Sequence, residues 1–164
     1  MERRSLFKQL GSFLTAALAS KAADAAPFAV QKTPTQWLAL VSPAAYSVLF
    51  KEGTEPAGSS PLNAEKRAGT FVCAACQSPL FDATHKYESG TGWPSFWQPR
   101  AAAVDTTTAF KLLFQRTEYH CARCGGHRGH VFGDGPKPTG KRYCNNGVAL
   151  TFVPQGSALP ALRT

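Results

Sequence analysis

The chain has 164 residues, 43% hydrophobic and 17% charged, with 18 Lys and Arg against 10 Asp and Glu for a formal charge of +8. That length holds one domain with a modest core, and the apolar content excludes a disordered chain. No run of eighteen or more apolar residues occurs, which excludes a permanent membrane anchor, and five cysteines exclude a complete set of internal disulfides.

Residues 1–25 read as an export signal. Arg3, Arg4 and Lys8 make a basic start, Leu10 to Ala19 is a short apolar run, and Ala23-Asp24-Ala25 supplies small residues at A-x-A spacing. The pair Arg3-Arg4 before Ser5-Leu6-Phe7-Lys8 resembles a bacterial twin-arginine signal, from which a periplasmic location is expected. An amphipathic transit peptide is the competing reading. Residues 26–32 read as a linker and residues 33–164 as the domain.

Two short helices are expected next. Thr33 and Ser42 are N-caps, each followed by a proline at the first helical position, and Tyr46, Leu49 and Phe50 form an i, i+3, i+4 stripe. Turn formers dominate from Gly53 to Gly69, read as a long surface segment. Beyond it the pattern is β. Phe71-Val72 leads into one cysteine pair, and the run Phe110 to Tyr119 leads into another. Val131-Phe132 follows, and Val148, Leu150 and Phe152 alternate through a last strand. The class is a mainly antiparallel β domain with helices at its N-terminal end.

Cys73-Ala74-Ala75-Cys76 and Cys121-Ala122-Arg123-Cys124 are C-x-x-C pairs 44 residues apart. Two residues between cysteines let a tight turn aim both sulfurs at one point, and two such turns complete the tetrahedron zinc prefers. Gly125-Gly126 permits the positive φ such a turn needs. With all four positions taken by thiolate, one zinc ion here is structural. Two disulfides in an exported protein are the alternative. His120, beside Cys121, is not needed as a ligand, and His85 reads as a solvated histidine.

Cys144 stands alone in Arg142-Tyr143-Cys144-Asn145-Asn146-Gly147, a polar setting for a cysteine that could otherwise be a small buried hydrophobe. Upstream, His127 and His130 flank Arg128-Gly129, and the loop Gly133 to Gly140 can fold the two segments together. A thiol beside imidazoles and a cation is the setting of a reactive cysteine. Trp93, Phe96 and Trp97 in one loop either line a pocket or cap the core.

These segments together resemble the methionine-R-sulfoxide reductase B family. The likeness rests on the cysteine pairs, Ser89 to Phe96 (SGTGWPSF), Gly126 to Phe132 (GHRGHVF), Asp134-Gly135-Pro136 with Pro138-Thr139-Gly140, and Arg142-Tyr143-Cys144 with Asn146. It runs from about Ser42 to Val153. The resemblance implies two antiparallel sheets forming an incomplete barrel (a β-tent), with a structural zinc on Cys73, Cys76, Cys121 and Cys124. It also implies reduction of the R epimer of methionine sulfoxide in oxidised proteins, the other epimer needing a different enzyme. Cys144 is then the nucleophile that ends as a sulfenic acid. His127 and His130 hydrogen-bond the sulfoxide oxygen, Asn146 orients the polar groups, and Trp93 holds the S-methyl group.

Two positions depart from the family pattern. Thr91 stands where many members carry a recycling cysteine, so an external thiol, thioredoxin-like or other, is expected to reduce Cys144. Arg128 stands at a commonly apolar place and is expected to add positive charge near the substrate cleft. A zinc-stapled binding module without catalysis would have no need of Cys144, His127 and His130 together. Residues 1–25 hold four basic and two acidic residues, so the remainder carries +6. Four zinc-bound thiolates bring that to about +4. Without a clustered basic stripe, nucleic acid is not an expected partner.

Overall fold

The computed structural model describes residues 28–111 and 114–164; the expected export signal lies outside the described residues. Helix α1 (Pro34–Leu38) opens on a capping box in which Thr33 and Gln36 each serve the other's backbone, and Ser42 caps α2 (Pro43–Lys51). Trp37 of α1 stacks on Phe50 of α2 with ring centroids 4.8 Å apart. No helix among the described residues is long and apolar enough to cross a membrane.

Nine strands follow among the described residues: β1 (Gly69–Cys73), β2 (Pro79–Asp82), β3 (Lys86–Tyr87), β4 (Ser95–Phe96), β5 (Val104–Lys111), β6 (Phe114–Cys121), β7 (His127–Phe132), β8 (Arg142–Asn145) and β9 (Leu150–Pro154). They make two antiparallel sheets, ordered β2-β1-β9 and β3-β4-β8-β7-β6-β5, and neither closes into a barrel among the described residues. The mainly β, two-sheet architecture with short N-terminal helices is the expected one.

Aromatic rings from both sheets fill the space between them. Phe81 of β2 stacks on Phe96 of β4 at 4.2 Å, Phe71 of β1 meets the same ring at 4.9 Å, and Tyr119 of β6 meets Tyr143 of β8 at 5.3 Å. The three phenylalanines are fully buried, each contributing about 1.5–3 kcal/mol of transfer free energy.

Four sequence expectations need correction. The run Phe110 to Tyr119 is not one strand: Phe110 and Lys111 end β5, and Phe114 to Tyr119 belong to β6, which pairs antiparallel with it, because a short run without clear alternation does not fix strand bounds. Val148 belongs to a 3₁₀ turn over Gly147–Ala149 rather than to the last strand. The segment after Gly53 is not all surface: Glu55 and Ser60 are buried. Residues 28–32 do more than connect, since Val30 is buried and its N–H donates to the Arg123 carbonyl at 3.1 Å.

Candidate active site and metal centre

The two C-x-x-C pairs fold into matching turns at the ends of β1 and β6. Gln77 N–H donates to the Cys73 carbonyl at 2.9 Å, and Gly125 N–H donates to the Cys121 carbonyl at 2.8 Å. The residue after each pair takes positive φ, 63° at Gln77 and 70° at Gly125. The four sulfurs lie within 4.8 Å of one another, with Cys73–Cys124 at 3.7 Å and Cys76–Cys121 at 3.6 Å. Sulfurs on tetrahedral zinc, with Zn–S bonds of about 2.3 Å, stand about 3.8 Å apart, so the cage fits the ion. All five cysteines are free thiols. His120 stays outside the cage, its ring edge-on to Phe28 at 5.6 Å. The C-terminal tail straps the first turn: Arg163 N–H donates to the Cys76 carbonyl, and its Nη1 to the carbonyls of Ala74 and Ala75 at 3.0 and 2.9 Å.

The second site is built on strand register. His130 of β7 faces Cys144 of β8, Glu118 of β6 faces His130, and Ser95 of β4 faces Cys144, so these four stand in one row across the large sheet. At one point in β7 the register slips: Tyr119 pairs with Gly129 while His120 pairs with His127, leaving Arg128 as an extra, unpaired residue. Strict alternation would put His127 and His130 on opposite faces. The bulge brings them together, with ring centroids 5.8 Å apart. Gly129 takes φ +150°, and a Cβ there would drive into the Cys144 carbonyl, so only glycine permits this approach of β7 to β8.

A cavity of about 170 Å³ opens beside Cys144, walled by Trp93, His130, Phe132, Asn146 and Thr54. Sites for drug-sized ligands run to about 300–1,000 Å³, so this one suits a short side chain. His127 is buried behind His130 and does not line the cavity; its Nδ1 lies 3.8 Å from one Glu118 oxygen, and His130 Nε2 lies 3.7 Å from the other. Asn146 has both ends of its amide engaged: Nδ2 donates to the Arg128 carbonyl and Oδ1 accepts from Glu55 N–H, each at 2.9 Å.

Burial pushes the Cys144 thiol above its ordinary range, while the neighbouring Arg142 charge and hydrogen bonds with Thr91 and Arg142 pull it back. Arg142 in turn grips Asp134 through two bonds of 2.8 and 2.9 Å and stacks on Phe132 at 4.1 Å. Alkylation by iodoacetamide reports the thiolate, so the reaction at Cys144, read by peptide mass spectrometry, is expected to rise with pH through a midpoint above that of free cysteine. Arg142→Met removes a lowering charge. It should move the midpoint higher and slow alkylation at neutral pH several-fold; an unchanged profile would contradict this electrostatic picture.

Two residues escaped sequence reasoning. Glu55 is a hub: its backbone accepts from Trp93 Nε1 at 3.1 Å, its N–H serves Asn146, and its carboxylate accepts from the N–H groups of Gly147 and Val148. Nothing in a stretch of turn formers marks one acid as buried. Arg142, read as the cation near Cys144 and as part of the Arg142-Tyr143-Cys144 motif, is the second only in its grip on Asp134. A third residue, Arg128, must be corrected. It does not face the cleft; it is fully buried and donates to the Ala149 carbonyl and to Cys73 Sγ, because the bulge turns it inward. Burial works against its charge, and the four cysteine sulfurs hold its pKa above the ordinary arginine value.

Comparison with known proteins agrees with the geometry. The SelR domain family matches residues 41–154. A peptide methionine sulfoxide reductase MsrB of Pseudomonas putida (strain W619) is 46% identical over 131 residues, covering 79% of this chain and 98% of that protein. Proteins of the same name from Leptospira interrogans and Methanosarcina barkeri are each 46% identical over 126 and 128 residues, covering 76% of this chain and 96% and 88% of their own lengths. With the cleft and the four-cysteine cage lying inside the matched span, the chain belongs to the methionine-R-sulfoxide reductase B family.

Proposed function

We propose that this enzyme reduces the R epimer of methionine sulfoxide in oxidised proteins, with Cys144 as nucleophile, and that one structural zinc sits on Cys73, Cys76, Cys121 and Cys124. The observation that carries the reading is the cross-strand pairing of Cys144 with His130 in a cavity walled by Trp93. The Cys144 sulfur attacks the sulfoxide sulfur, and its S–H proton together with a hydrogen bond from His130 neutralises the developing oxyanion. His127 and Glu118 stand behind His130 and hold its ring. The attack makes a transient S–S bond and turns the oxygen into a hydroxyl. That hydroxyl then passes from the methionine sulfur to the Cys144 sulfur as the S–O and S–S bonds break, the S–S electron pair leaves with methionine, and Cys144 is left as a sulfenic acid. A thiol then condenses with the sulfenic acid, releasing water and forming a mixed disulfide, and a second thiol frees Cys144. The other four cysteines are committed to the cage and Thr91 carries no thiol, so both reducing thiols come from outside.

Stereochemistry follows from a three-point fit. The sulfoxide sulfur bears an oxygen, a methyl group and the peptide-linked chain. With the oxygen toward His130, the methyl group on the Trp93 face and the chain toward solvent, one hand alone presents its sulfur to Cys144. Export of folded, zinc-loaded protein through a twin-arginine route to the periplasm belongs to the same reading, since thiolates already on a metal resist stray disulfides. The test is separate assay of the R and S epimers of a blocked methionine sulfoxide with dithiothreitol. Reduction of R alone is expected, with dimedone trapping a sulfenic acid on Cys144. Equal inactivity on both epimers, in a zinc-loaded sample, would overturn the proposal.

A further inference from the structure

Arg128 is the bulkiest fully buried side chain among the described residues, and it does not touch the reaction cleft. A guanidinium taken out of water needs a counter-anion. Among the described residues no carboxylate forms an ion pair with it. Its Nη2 donates instead to Cys73 Sγ, and its Nη1 to the Ala149 carbonyl, which also accepts from Ala74 N–H of the first cysteine turn at 2.9 Å. The anion beside Arg128 is therefore the cysteine cage itself.

The need is mutual. Four thiolates around a dication carry a net charge of −2, and all four cysteines are buried. We infer that Arg128 is the resident counter-charge of the four-cysteine centre and ties that centre to the reaction cleft. The inference rests on the zinc reading above. A charge-assisted N–H···S bond draws electron density from the Cys73 sulfur, which leaves that sulfur less open to protonation, oxidation or loss from the metal. The other end of the same residue serves the cleft. The Arg128 carbonyl accepts from both the backbone N–H and the Nδ2 of Asn146, each at 2.9 Å. One bulged residue thus holds the cage by its side chain and meets Asn146 through its backbone carbonyl.

The test compares zinc retention in the wild type, Arg128→Lys and Arg128→Met, each purified with zinc. Metal released to 4-(2-pyridylazo)resorcinol under excess chelator is followed in time, beside cobalt-substituted samples whose sulfur-to-cobalt absorption reports the cage directly. The wild type is expected to hold one zinc per chain. The neutral Met variant should release it about tenfold faster or more, the usual scale for loss of an outer-sphere partner, with a shifted cobalt band. Lys, which keeps the charge but not the two-pronged geometry, should fall between. If Met cannot be obtained folded, the Lys comparison still decides. Variants that release zinc at the wild-type rate with an unchanged cobalt spectrum would overturn the role of Arg128 while leaving the zinc reading intact. Wild-type protein without metal would overturn the zinc reading, and this inference with it.

Discussion

Cys144→Ser is expected to lower sulfoxide reduction by at least about a thousandfold, to the limit of detection, while zinc content and thermal melting stay at wild-type values. Electron counting demands the loss. Reducing the sulfoxide takes two electrons from the attacking atom. Sulfur supplies them by becoming a sulfenic acid, whereas an attacking serine oxygen would have to reach the peroxide level. Nucleophilicity points the same way: the thiol is soft and polarisable, and the serine hydroxyl is neither acidic nor nucleophilic at neutral pH. The fold should not notice the change, because Cys144 is only half-buried at the cavity wall and lies apart from the cage. Initial rates on the R epimer, zinc content and a melting curve on one sample check all three expectations. Residual activity above a few per cent would move the chemistry to another residue.

The same reasoning explains why the resting thiol can be protonated without harm. Attack on a sulfoxide requires a proton at the oxygen as much as electron density at the nucleophile. In the proposed mechanism, burial that favours the Cys144 thiol supplies that proton inside the cleft, while Arg142 and Thr91 work in the opposite direction. On the proposed mechanism, a cleft with one thiol stops at the sulfenic acid until another thiol arrives. By the same proposal, the opening beside Trp93 and Phe132 has to admit an oxidised methionine and a reductant, one after the other.

Much of this arrangement was legible in the sequence. Thr33-Pro34 and Ser42-Pro43 announce two helix starts because cap and proline chemistry is local. The paired cysteines announce a cage because two-residue spacing fixes a turn, and the glycine-rich loop after Phe132 returns the chain so that Cys144 meets His130. What escaped depends on long-range register. The side-chain direction of Arg128 is set by a slip against Tyr119 and His120, and a one-residue slip reverses every face assignment beyond it. Glu55 escaped for a similar reason, since its partners Asn146, Gly147 and Val148 lie some ninety residues away.

The second large effect is expected at the cage. Cys73 closes β1 in the three-stranded sheet, and Cys121 closes β6 in the six-stranded one, so a metal held by both turns staples the two sheets across the aromatic core. Structural zinc contributes on the order of 10 kcal/mol of apparent binding free energy, comparable with the roughly 5–15 kcal/mol total stability of a domain. Losing a third of that contribution already consumes much of the margin. Cys121→Ser is therefore expected to lower Tm by about 15 °C or more, or to leave no cooperative transition in a circular dichroism melt. Wild-type protein stripped by chelator should behave alike, and readdition of zinc should restore it but not the variant. The reagents also separate the two readings of the paired cysteines. Were they disulfides, dithiothreitol would destabilise the protein and chelator would do nothing. A zinc cage reverses that order, because thiol reductant leaves the Zn–S bonds in place while chelator removes the staple, and free sulfurs 3.6 and 3.7 Å apart favour this outcome.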